Sequence, residues 1–228
     1  MALLGKGAIT TWNDVRPDGR EVFYGWHEEE HIAERVGIPG FLRGRRYRRI
    51  EAEIEWFTLY ETTTSDVLTS AAYQERLNNP TERTRYSAPF SINMTRGLTT
   101  VVASRGDPDG GCLLAVGLTV DDAAVAATRA ALGQALVDEL GAITGICAAH
   151  LTESDRAASR VQTAEKKLRD RPSLVPDAVL LVESSRVAPL AAARRAIEAR
   201  LAGLDGVAQL RPFGTYGLEF QLLRRPLP

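Results

Sequence analysis

The chain reads as one order of elements written twice. Residues 7–104 and 112–224 each run strand, helix, two apolar strand-like segments, helix, strand, and a Gly/Asp-rich stretch at 105–111 separates them. A βαββαβ unit carries both helices on one face of an antiparallel sheet, and its other face stays bare until something packs on it. Two such sheets in one polypeptide can cover each other. The expectation is an α+β protein whose two antiparallel sheets pack face to face as a barrel within the chain. The N-terminal half would span 1–105, the hinge 106–111 and the C-terminal half 112–228.

Charge excludes one class of partner. Residues 1–104 hold 13 Lys+Arg against 14 Asp+Glu and the remainder 15 against 15, so neither half has the cationic surplus that phosphate neutralisation by a nucleic-acid binder needs. Cys112 and Cys147 lie in apolar strand-like runs, where a free cysteine behaves as a small hydrophobe, and no disulfide framework is indicated. The longest uncharged apolar run, Cys112 to Val120, is far below the roughly 20 residues that cross a bilayer. With no cationic-then-apolar leader at the N-terminus, a cytoplasmic protein without membrane contact is expected.

Punctuation places the elements. Gly7 to Asn13 is a strand, Glu21 to Val36 a helix stopped by Gly37 and Pro39, and Phe41 to Ile50 with Ile54 to Thr62 a hairpin. Ser65 caps a helix to Asn78, and a polar connection leads to a strand from Ile92 to Ala103. In the second half Cys112 to Val120 is strand, Asp121 or Asp122 caps one long Ala-rich helix to Gly141, and Ile143 to Thr152 is strand. The hairpin is replaced by a helical insertion over about 154–170; strand, helix and a long last strand or hairpin follow at 177–183, 189–204 and 207–223.

Alternation then assigns faces. Leu42, Gly44, Phe57 and Leu59 go to the helix-covered side, which sends Arg43, Arg45 and Tyr47 to the open side together with Trp56, Thr58 and Tyr60, with Thr10 or Trp12 nearby. Aromatic rings and forked guanidinium donors suit a planar or anionic organic molecule. Aligning Pro39-Gly40-Phe41 with Thr144-Gly145-Ile146 sets Arg43 opposite Ala148 and Arg45 opposite His150, so His150 also looks inward, where an imidazole can act as acid or base near neutrality. The plainer reading is that Arg43, Arg45, Arg46, Arg48 and Arg49 form a solvated basic strand edge.

His27-Glu28-Glu29-Glu30-His31 matches H-E-x-x-H, in which histidines one helical turn apart bind zinc and the Glu between them acts as base. Glu51 lies where a third, carboxylate ligand would fall, but in a hairpin turn and without the helical scaffold of zinc proteases. A wheel centred on Val22, Trp26 and Ala33 sets both histidines away from the apolar stripe, on a solvated face, although Trp26 and His27 lie close enough to the strand-to-helix connection to reach the mouth of a cavity.

The stretch from Phe23-Tyr24-Gly25-Trp26-His27 through His31, followed by Ile38-Pro39-Gly40-Phe41-Leu42-Arg43 and Arg46-Tyr47, resembles the EthD-like branch of the dimeric α+β barrel superfamily. The resemblance covers the first half well and the second by element order only, with no histidine between Asp121 and Leu140. It implies two ferredoxin-like halves, fused here, around a small-molecule cavity, in a superfamily of monooxygenases, isomerases, cyclases and haem enzymes. The expectation is a cofactor-independent enzyme acting on an aromatic or polyketide-like acid. Arg43 or Arg45 would hold an anionic oxygen, Trp12, Trp26, Tyr47, Trp56 and Tyr60 would pack on the ring, and His27, His31 or His150 would move a proton. Haem on His150, a zinc hydrolase and a non-catalytic binding or stress-associated module are the alternatives. A homodimer through the Arg45–Arg49 edge or the last strand stays open.

Overall fold

The computed structural model describes residues 3–224, so the outer limits drawn for the two halves, 1 and 228, lie outside the described residues. Its strands are β1 (Gly7–Val15), β2 (Phe41–Glu51), β3 (Trp56–Thr62), β4 (Ser91–Arg105), β5 (Cys112–Val120), β6 (Ile146–Ser154), β7 (Ala178–Ser184) and β8 (Val207–Leu223). They close into one antiparallel barrel in the order β1-β3-β2-β8-β5-β7-β6-β4. Each set of four has the same internal order, β4-β1-β3-β2 and β8-β5-β7-β6. The sets join along both edges, β2 to β8 and β4 to β6. The strand edges expected to be free are thereby used within the chain: Arg46 faces Phe220 and Arg48 faces Gly217.

The proposed alignment of the halves has a backbone counterpart. Gly40 and Gly145 both adopt positive φ, +90° and +93°, at the turn leading into β2 and β6, a conformation that a side chain resists. Arg43 pairs with Glu61 and Ala148 with Glu183, and two residues on, Arg45 pairs with Leu59 and His150 with Leu181.

An eight-stranded barrel has an interior just wide enough for side chains to fill. Trp12, Tyr47, Phe57, Leu59, Leu181 and Tyr216, from both sets of strands, fill it. The space between the sheets, expected to hold a ligand, is thus a core. Outside, the C-terminal strands are covered by α5 (Val125–Leu132), α6 (Gln134–Gly141) and α8 (Ala188–Leu201) through an aliphatic cluster that includes Leu132, Leu136, Leu140, Leu180 and Ile197. The N-terminal strands are covered by α1 (Arg20–Trp26), α2 (Ile32–Gly37), α3 (Ala71–Asn78) and α4 (Glu82–Ser87), and here the packing is aromatic and polar.

Four helices differ from expectation. The one drawn from Ser65 to Asn78 is a 3₁₀ turn at Ser65–Thr69 followed by α3, which Ser70 and not Ser65 caps. The one drawn from Glu21 to Val36 contains a π turn at His27–His31 between α1 and α2. The long Ala-rich helix breaks at Gly133, where ψ of −145° leaves the helical region. The insertion holds only the short α7 (Arg156–Arg160) and a 3₁₀ turn at Lys166–Leu168, and otherwise runs as irregular chain against the N-terminal strands. No helix among the described residues is long and apolar enough to cross a membrane.

Candidate active site

The π turn decides where the histidines go. An i→i+5 turn takes one residue more than an α turn. It swings both imidazoles off the solvated face drawn by the wheel and onto the sheet, where both are buried. His27 stacks on Phe23 at 4.8 Å between ring centroids and on His31 at 5.4 Å, and His31 lies 4.2 Å from the Trp26 ring. Trp26 is fixed in turn by its indole N–H, which donates to Thr84 Oγ1 at 3.0 Å. Arg46 Nη1 lies 3.3 Å from His27 Nδ1, and because a guanidinium can only donate, that nitrogen accepts and the His27 proton sits on Nε2. Arg46 is itself held by Glu28 and Glu219.

Beneath the helix is a cavity of about 50 Å³ lined by His27, His31, Arg35, Tyr60, Glu165 and Arg169 among others. Such a volume holds a few waters or one small functional group. A groove of about 500 Å³ lies next to it and shares Ser91 and Met94 as lining residues. Asn93, at +54° in φ, stands at this groove and donates to Asp14 Oδ2 at 2.9 Å. The far wall of the cavity comes from the connection between β6 and β7. Glu165 reaches Arg35 and Arg169, and Arg96 bonds the hydroxyl of Tyr73.

Burial lowers the pKa of both histidines well below the ordinary value; for His27 the neighbouring His31, Arg46 and Arg35 add to it, and for His31 the cations Arg35, Arg169 and Arg96. Both imidazoles are neutral at pH 7. Burial raises Tyr60, keeping its hydroxyl protonated. Burial alone would raise Glu165, but Arg35 and Arg169 outweigh it and hold the carboxyl below its usual range. Five buried polar atoms of cavity-lining side chains have no hydrogen-bond partner: His31 Nδ1, Thr58 Oγ1, Tyr60 Oη, Arg35 Nη1 and Arg169 Nε.

Of the residues singled out from sequence, Trp26, His27, His31 and Tyr60 meet at this cavity. Trp56 shares their face, packed with Phe23 and Trp26 and capped by the Arg20 guanidinium 4.8 Å from its ring. The phase assigned to β3 is corrected: Phe57 and Leu59 point into the barrel, while Trp56, Thr58 and Tyr60 lie on the helix-covered face opposite Arg48, Arg46 and Gly44. All seven residues of β3 are buried, so apolar and polar positions do not alternate along it.

Trp12, Arg43, Arg45, Tyr47 and His150 form a separate group inside the barrel. The arginines expected to bind a substrate anion already have internal carboxylates: Arg43 bonds Glu61 at 2.8 Å and Asp109 at 2.7 Å, and Arg45 bonds Glu183 at 2.9 and 3.0 Å and Glu61 at 3.0 Å. Neither they nor Arg46 form a solvated edge, whereas Arg48 and Arg49 are exposed. His150 Nδ1 lies 2.8 Å from Ser104 Oγ, and burial, with Arg45 next, pulls its pKa down to about 3.

Neither metal nor macrocycle fits these residues. The HExxH stretch is a π turn whose Glu28 points outward to Arg46, Glu51 is exposed, and no group of three His, Cys, Asp or Glu able to hold a metal exists among the described residues. The histidine pair is surrounded by guanidinium groups, which oppose a further cation. A haem is far larger than the 50 Å³ beside His27 and His31, and His150 is enclosed by the barrel core.

Sequence reasoning missed Arg35, Glu165, Arg169 and Arg96. For Arg35 a signal existed, since His27, His31 and Arg35 recur every four residues along one helical segment. A second one marked the barrel carboxylates: Leu59-Tyr60-Glu61-Thr62 and Leu181-Val182-Glu183-Ser184 stand at matching places in β3 and β7.

No protein-family model matches the chain, and no curated protein matches it in sequence. Solved structures match its shape over nearly its whole length. An anthrone oxidase-like protein superposes with a TM-score of 0.66 at 11% identity, covering 96% of this chain and 92% of its own. A monooxygenase, so named provisionally, from Fusobacterium nucleatum gives 0.60 at 9% identity over 99% and 98%. A chlorite dismutase mutant from Candidatus Nitrospira defluvii gives 0.52 at 13% over 92% and 90%. What they share with this chain is the fold.

Proposed function

We propose that the chain is a small-molecule enzyme that removes a proton from a weakly acidic carbon of an enolisable, ring-bearing substrate, in the manner of a cofactor-independent oxygenase or isomerase. The site is the cavity under the π turn, with its bulkier end in the adjoining groove. One observation carries the reading: His31 presents a buried, neutral imidazole whose Nδ1 has no partner and whose ring lines the cavity. A neutral imidazole in that position is a general base. It takes the C–H proton, and the electron pair moves onto the substrate carbonyl as an enolate. The protonated Tyr60 hydroxyl stabilises that oxygen. Return of the proton elsewhere on the enolate gives an isomer. Addition of dioxygen to the carbanion gives a hydroperoxide that loses water to leave a carbonyl. His27 stacks on His31 and takes the Arg46 bond, which orients the pair. The neighbours named as anthrone oxidase-like and monooxygenase support a small-molecule enzyme in general.

The test is exchange of the acidic ring protons of an anthrone with deuterium oxide at pH 7, followed by NMR for the wild type, His31→Asn and His27→Asn. The expected result is protein-dependent exchange that falls at least about 100-fold in His31→Asn, the scale of general-base loss. Exchange equal in wild type and His31→Asn would overturn the assignment.

A further inference from the structure

Around the inner cavity the charges do not balance. Arg35, Arg96 and Arg169 line it, and Glu165 is its only carboxylate among the described residues. The carboxylate on α2, Glu34, bonds Arg76 at 2.9 Å, and Arg96 turns to the Tyr73 hydroxyl. Lys166 adds a further cation next to the wall and spends its ammonium on the carbonyls of Ser159 and Val161 at 2.6 and 2.7 Å. Buried charge in this excess is costly unless something compensates it. The free donors indicate where a compensating group belongs: Arg35 Nη1 and Arg169 Nε are both buried, both without a partner, and both on this cavity together with the Tyr60 hydroxyl.

We infer that the inner cavity is a carboxylate site, in which Arg35 and Arg169 hold the acid group of an aromatic acid whose ring extends past Ser91 and Met94 into the outer groove. The inference rests on the proton-transfer reading for the location of the site and adds the substrate's chemical class. Size agrees with it, since 50 Å³ admits a carboxylate but not a ring, and the groove beyond offers about 500 Å³. Arg35 comes from α2 and Arg169 from the connection between β6 and β7, so segments far apart in the sequence close on the same group. Glu165, bonded to both arginines, occupies the donors that a ligand carboxylate would otherwise share.

Calorimetric titration with benzoate, acetate and the neutral isostere benzamide tests this. Benzoate should bind more tightly than acetate, and benzamide should not bind measurably. Arg169→Gln should weaken benzoate at least tenfold, and Glu165→Gln, which removes the competing carboxylate, should tighten it. If Arg169→Gln does not fold, the sign of the Glu165→Gln effect decides alone. Benzamide binding as well as benzoate, acetate binding as well as benzoate, or Glu165→Gln weakening the complex would each overturn the site. His31→Asn separates the two ideas: loss of exchange with benzoate binding intact supports both. Benzoate binding in a wild type that catalyses no exchange keeps the carboxylate site and removes the base, and exchange without benzoate binding does the reverse.

Discussion

All three histidines of the chain are buried and held neutral, so the fold should be unusually sensitive to mild acid. Burial is the first cause in each case, and the neighbouring guanidinium groups act in the same direction. The unfolded chain binds a proton at each histidine near pH 6.5, whereas the folded chain does not. The stabilisation is therefore fully present above pH 6.5 and is lost as the pH falls below it. A histidine that stays neutral in the fold contributes a slope approaching about 1.4 kcal/mol per pH unit, or about 2 kcal/mol between pH 7.5 and 5. Three together approach about 6 kcal/mol over that interval, against a total of roughly 5–15 kcal/mol for a folded domain. Urea unfolding at pH 7.5, 6.5, 5.8 and 5.2 measures the slope. His27→Gln, His31→Gln and His150→Gln should each remove about one third of it. A wild-type slope of one proton or less over this range would show that the imidazoles become charged without unfolding, and the neutral-base reading of the site would fall with it.

Two further outcomes follow from packing. Glu183→Gln removes the carboxylate that holds both Nη atoms of Arg45 and the backbone N–H of Gly110. It leaves a buried guanidinium with Glu61 and, at 3.8 Å, the half-exposed Asp109, and should cost about 3–5 kcal/mol in chemical denaturation; a loss under about 1 kcal/mol would mean that the network does not brace the barrel. In Gly44→Ala the new Cβ would lie 2.9 Å from Ile32 Cγ2 and 3.0 Å from the Tyr60 ring. The substitution should push α2 off the sheet, destabilise by about 1–3 kcal/mol and slow anthrone exchange, and unchanged exchange would disconnect helix seating from the site.

How much was legible depended on whether a segment faces two environments or one. The strands of the N-terminal set could be read because turns and glycines bound them, and the matching strand order of the two sets could be read because Gly40 and Gly145 stand at matching points in them. The faces of β3 could not, since Trp56, Thr58 and Tyr60 are as buried under the helices as Phe57 and Leu59 are within the barrel. The histidine helix failed for a different reason: a wheel assumes 3.6 residues per turn, and one π turn shifts the phase of everything around it. Arg43 and Arg45 were correctly directed inward, but their partners Glu61 and Glu183 come from strands whose pairing a single sequence does not display. The contribution of Arg169 was the least visible. Glu165 and Arg169 look like an ordinary i,i+4 surface pair until the chain folds back over strands laid down about 70 residues earlier in the sequence.

Closure of the barrel inside a single polypeptide has an evolutionary consequence. When two identical subunits make such a barrel, every substitution is imposed on both sides at once, so a loop that roofs one chamber must also suit its own. A barrel closed within one chain is free of that restriction. Here the C-terminal side is packed as an aliphatic layer, while its β6–β7 connection crosses over to wall the cavity on the N-terminal side, an asymmetry that two identical subunits related by symmetry would have to carry twice.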